Sequence, residues 1–77
     1  MVLLRRLGER ITKLREQRGL SQLQLARQAN IARSTLRYVE DGTRAVSLLV
    51  LARLARVLKV EVRTLLPPIT KTRRRRR

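Results

Sequence analysis

The side chains able to do chemistry in this chain are almost all guanidinium and ammonium groups: 20 Lys plus Arg stand against 5 Asp plus Glu, with no His and no Cys. A guanidinium presents its donors in a fixed plane and can pair two acceptors at once, on a phosphate or on the O6 and N7 of guanine. General acid–base work near neutral pH, thiol nucleophiles and structural zinc all lean on His or Cys, so an enzyme is not expected and no metal or cofactor is implied. The net charge is +15, and removing Lys71 and Arg73 to Arg77 still leaves +9. The body itself is therefore basic. Such a field favours a polyanion, either nucleic acid or an anionic membrane surface. Tyr38 is the single aromatic residue, so there is no aromatic platform for stacking unpaired bases, which counts against RNA-recognition and single-strand-binding folds.

Such side chains need a scaffold, and 77 residues with 43% hydrophobic content suffice for one small domain. The reading is a domain over residues 1–68 and a basic tail over 69–77 that has nothing to pack. The longest stretches free of charge, Gly19 to Ala26 and Ala45 to Ala52, run eight residues, far below the roughly 20 that a membrane-spanning helix requires. Arg5 and Arg6 interrupt the apolar start, so no secretory signal is expected. A cytoplasmic protein without a membrane partner is the resulting expectation.

Periodicity is helical throughout. Leu7, Ile11 and Leu14 fall on one face of a first helix from about Leu3 to Arg18, stopped by Gly19. Ser21 is an N-cap for a second helix that carries Leu25 and Ala26 inward and ends near Ala29, because Asn30 tolerates the left-handed conformation. A third helix, about Arg33 to Asp41, turns Leu36 and Val39 inward and stops at Gly42. Ser47 caps a fourth, with Leu48, Leu51, Ala55 and Leu58 inward and Val46 stapled against Leu51. A last short helix spans about Glu61 to Leu66 ahead of Pro67 and Pro68. No strand pattern, repeat or Gly-rich phosphate loop is present.

Two short helices joined by a tight turn, inside a small basic all-α domain, form the arrangement that lays its second helix in the major groove of DNA. From Leu7 to Leu66 the chain resembles the Cro and repressor type of helix-turn-helix, the XRE family, with a five-helix lambda-repressor-like fold. The resemblance rests on Leu14-Arg15, Gly19-Leu20-Ser21-Gln22, Leu25-Ala26, Glu40-Asp41-Gly42, Ser47-Leu48, and Leu54-Ala55 through Leu58 and Val60. The start of the third helix and the loop Arg44-Ala45-Val46-Ser47 look most like the small controller proteins of restriction-modification systems.

The resemblance implies roles residue by residue. Arg33, Ser34, Thr35 and Arg37 would face base edges, and Arg33 has the fork that matches guanine. Gln22, Tyr38, Thr43 and Arg44 would meet phosphates, and Arg15 with Glu40 would form a structural ion pair. Three positions depart from the family pattern: Ala32 lacks a capping oxygen, Val46 replaces a frequent Pro, and Lys59 replaces a frequent Gly.

The fourth helix carries more apolar residues than one core face can use. Leu49, Val50, Leu54 and Val57, joined by Val62 and Leu66, read as a homodimer interface. The expected function is a sequence-specific transcriptional regulator, binding double-stranded DNA as a homodimer on a palindromic operator. Two other readings stand beside it: an antitoxin whose second apolar face binds a toxin, and a nucleoid protein that coats DNA without sequence preference.

Overall fold

The structure is a computed structural model that describes residues 2–66; the basic tail read at 69–77 lies outside the described residues. Five helices follow one another: α1 (Val2–Gln17), α2 (Gln22–Ala29), α3 (Arg33–Asp41), α4 (Leu48–Leu58) and α5 (Val62–Leu65). No strand occurs among the described residues.

Local chemistry sets the boundaries. Ser21 accepts the Gln24 N–H at 3.0 Å while the Gln24 side chain accepts the Ser21 N–H at 2.8 Å, a reciprocal capping box at the start of α2. Asn30 closes that helix at φ 58°, and Gly42 closes α3 at φ +69°. The Ser47 hydroxyl oxygen accepts the Val50 N–H at 3.1 Å at the head of α4. Ala32 leaves α3 with no side-chain cap. Lys59, where the family often has Gly, takes the left-handed conformation at φ 61° and ends α4 all the same.

The core is aliphatic. Leu7 and Ile11 of α1 meet Leu25, Ala26 and Ala29 of α2, Leu36 and Val39 of α3, Leu51, Leu54, Ala55 and Leu58 of α4, and Leu65 of α5. Leu14, Leu20, Ile31, Tyr38, Val46 and Val50 close its margins. The stripe of α4 differs from the expectation at two positions. Leu54 is fully buried and Leu48 is 72% exposed, so the inward stripe runs Leu51, Leu54, Ala55 and Leu58, a helical i, i+3, i+4, i+7 pattern. Leu48 precedes that stripe in the first turn of α4 and stands out in solvent. Leu54 is therefore core and not an interface residue.

Helices α1 and α3 cross with their backbones nearly touching. A Cβ placed on Gly8 would fall on the Glu40 carbonyl oxygen and 2.6 Å from that of Val39. Only a residue without a side chain permits that approach, and it is what brings Arg15, two turns further along α1, within reach of Glu40.

Candidate nucleic-acid interface

Three helices are tied together beneath the exposed side of α3 by one carboxylate. Arg15 Nε donates to Glu40 Oε2 at 2.7 Å and Arg15 Nη2 to Glu40 Oε1 at 3.2 Å. The Gln22 Nε2 amide also donates to Glu40 Oε1, at 2.9 Å. Arg15 Nη1 donates to the Leu20 carbonyl at 2.9 Å, fixing the turn that leads into α2. The side chains of Arg15 and Glu40 are 13% and 4% exposed. Paired charges shielded to this degree lock geometry, because either partner alone would be stranded.

Arg15 and Glu40 are thus brought together, and Arg15 is occupied inside the fold. Gln22 is not simply a surface group awaiting a phosphate: its amide is half-buried and oriented by Glu40. A carboxylate only accepts, so the NH2 end of the amide must face it. One N–H is thereby engaged and the other remains for an outside acceptor. Sequence reasoning missed this bond. Its partners lie 18 residues apart, and only the packing of α2 on α3 joins them.

On the outer side of α3, Arg33, Ser34 and Arg37 are exposed, while Thr35 is half-buried. None of the four has a side-chain hydrogen-bond partner among the described residues. Thr43 and Arg44 are exposed in the loop after α3, and Tyr38 is half-buried at the core margin. The guanidinium of Arg44 lies over the Tyr38 ring, 5.3 Å from its centroid. What this side offers a ligand is a row of planar cationic donors on a helix whose inner face is anchored. Among the described residues, no group of three or more His, Cys, Asp or Glu side chains could hold a metal ion. No described helix is long and apolar enough to cross a membrane.

The residues read as a dimer interface separate into groups. Leu49 and Leu66 are exposed, by 61% and 37%, while Val50, Val57 and Val62 are half-buried against the core. Leu48 belongs with the exposed pair, a placement the helical pattern did not supply.

A family model described as helix-turn-helix matches residues 11–65, from the second half of α1 through α5. The chain belongs to this helix-turn-helix family, of the Cro and repressor type, and is by class a DNA-binding transcription regulator. Among solved structures it is similar to the restriction-modification controller protein C.AhdI from Aeromonas hydrophila, at 42% identity and a TM-score of 0.78 over 80% of this chain and 94% of that one. It is also similar to SinR, the master regulator for biofilm formation, in complex with DNA: 35% identity, TM-score 0.74, 77% of this chain and 95% of that one. The N-terminal DNA-binding domain of SinR from Bacillus subtilis matches at 33% identity and TM-score 0.77, over 84% of this chain and 96% of that one. No curated protein matches the chain.

Proposed function

We propose that the chain regulates transcription as a homodimer that recognises a two-fold symmetric operator, with α3 of each protomer in the major groove. One observation carries the reading: α3 is anchored on its inner side by Glu40, while Arg33, Ser34 and Arg37 stand exposed and unengaged within the fold. Arg33 and Arg37 present forks to base edges, with Ser34 and Thr35 as shorter readers. Gln22, Tyr38, Thr43 and Arg44 hold the flanking phosphates, which fix register without reading sequence. The similarity to a regulator solved on DNA supports this assignment.

The exposed Leu48, Leu49 and Leu66, with the half-buried Val50, Val57 and Val62, provide the two-fold contact. Exposed leucines of this kind, on a chain this small, gain from burial against a second copy. Regulation then follows from occupancy of the operator.

The reading is tested by comparing Arg33→Ala with Arg44→Ala on a duplex carrying the site and on random duplexes. Arg33→Ala should lower discrimination at one guanine by about 1–3 kcal/mol, and Arg44→Ala should weaken all duplexes alike and reduce the salt slope by about one unit. Equal losses on specific and random DNA for Arg33→Ala refute its base-reading role.

A further inference from the structure

The turn that ends α3 folds back onto the helix it has just left. At Gly42, φ +69°, the chain reverses, and the N–H groups of Gly42 and Thr43 both donate to the Tyr38 carbonyl oxygen, at 3.0 and 3.2 Å. That reversal returns residue 44 to the side of residue 38, where the guanidinium carbon of Arg44 sits 5.3 Å from the Tyr38 ring centroid. A cation within about 6 Å of a ring centroid is attracted by the ring quadrupole. The two partners differ in freedom. Tyr38 is half-buried against the core, while Arg44 is exposed and has no hydrogen-bond partner among the described residues. The ring lies to one side of the guanidinium, whose N–H groups remain open to an acceptor.

We propose that Tyr38 is a positioning residue, whose ring holds the Arg44 fork in place for a phosphate diester beside α3. The proposal rests on the reading of α3 as the DNA-facing helix. An arginine in a surface loop loses rotamer freedom when it binds. A ring that has already restricted it removes part of that cost, which corresponds to about 2- to 10-fold in affinity. The ring face does this, and the Tyr38 hydroxyl stays free for a separate contact.

Because Tyr38 is the single aromatic residue, aromatic ring-current shifts in the proton spectrum of the full chain have one source. In the free protein the Arg44 methylene protons should lie upfield of those of the other arginines. The shift should persist in Tyr38→Phe and vanish in Tyr38→Leu. Arg44 protons at ordinary positions in the wild type would overturn the proposal without touching the DNA reading. On duplex DNA, comparing Tyr38→Leu with Tyr38→Phe isolates the ring from the hydroxyl. The leucine variant should bind about 2- to 10-fold more weakly than the phenylalanine variant, and the difference should disappear when both are made in an Arg44→Ala background. The same difference in both backgrounds would show that the ring acts without Arg44. A wild-type chain that does not bind duplex DNA would sink the DNA reading and this role together.

Discussion

Glu40 joins α1 and α2 to α3 through one carboxylate that accepts from Arg15 and from Gln22. With its side chain 4% exposed, truncation would strand a shielded guanidinium and an amide at once. Glu40→Ala should therefore lower unfolding free energy by about 3 kcal/mol, read as a shift in the urea midpoint at constant m-value. A change below about 0.5 kcal/mol, the size of an ordinary surface effect, would show that the pair is solvated. At this scale the sequence was only partly legible. The family resemblance implied that Arg15 and Glu40 meet, and their opposite charges agree with it. The Gln22 bond and the contact of Arg44 with the Tyr38 ring were hidden. The first depends on how α2 packs on α3 and the second on how the turn at Gly42 returns residue 44 beside residue 38, and nothing in local composition encodes either placement.

Among the elements, the caps were the most readable features. Ser21, Asn30, Gly42 and Ser47 each end or begin a helix through a property of one residue, and each does so in the structure. The α4 stripe was less readable. Leu48, Leu51, Leu54 and Leu58 satisfy more than one helical face, and only the positions of the other helices decide which face turns inward. The helical pattern alone puts Leu54 outward and Leu48 inward, the reverse of what is found. Two substitutions follow from the caps. Ala32→Ser should supply the acceptor that α3 lacks and raise stability by about 1 kcal/mol. Lys59→Gly should relieve the left-handed strain at φ 61° and gain about 0.5–1 kcal/mol, net of the glycine's greater unfolded-state freedom. Either is checked by thermal or denaturant unfolding, and a loss of stability would contradict the cap geometry. Gly8→Ala should act oppositely, costing about 1–3 kcal/mol, because its methyl group would meet the α3 backbone. Wild-type stability in that variant would mean that the helices separate freely.

At the scale of the whole molecule, Arg33, Arg37 and Arg44 stand exposed on α3 and the loop after it, and Leu48, Leu49 and Leu66 stand exposed on α4 and just after α5. Composition alone favoured a polyanion, since the body keeps +9 without the tail's charges, but it did not point to α3, whose two Arg are balanced by Glu40 and Asp41. The surplus of leucines and valines on α4 was legible, though not which of them stand exposed. Leu49→Glu combined with Leu66→Glu should leave helix content intact, produce a monomer by sedimentation, and weaken operator binding more than tenfold, on the order expected when one of two half-sites is lost. A variant that remains dimeric would place the two-fold contact elsewhere. The most direct test of the account is selection of bound duplexes from a random pool at about 150 mM salt, which suppresses the nonspecific charge term. The account predicts an enriched palindrome with half-sites about 34 Å apart, one helical turn, preferred over random DNA by at least about 10³. A pool that emerges unenriched would contradict it, leaving a protein held to DNA by charge alone.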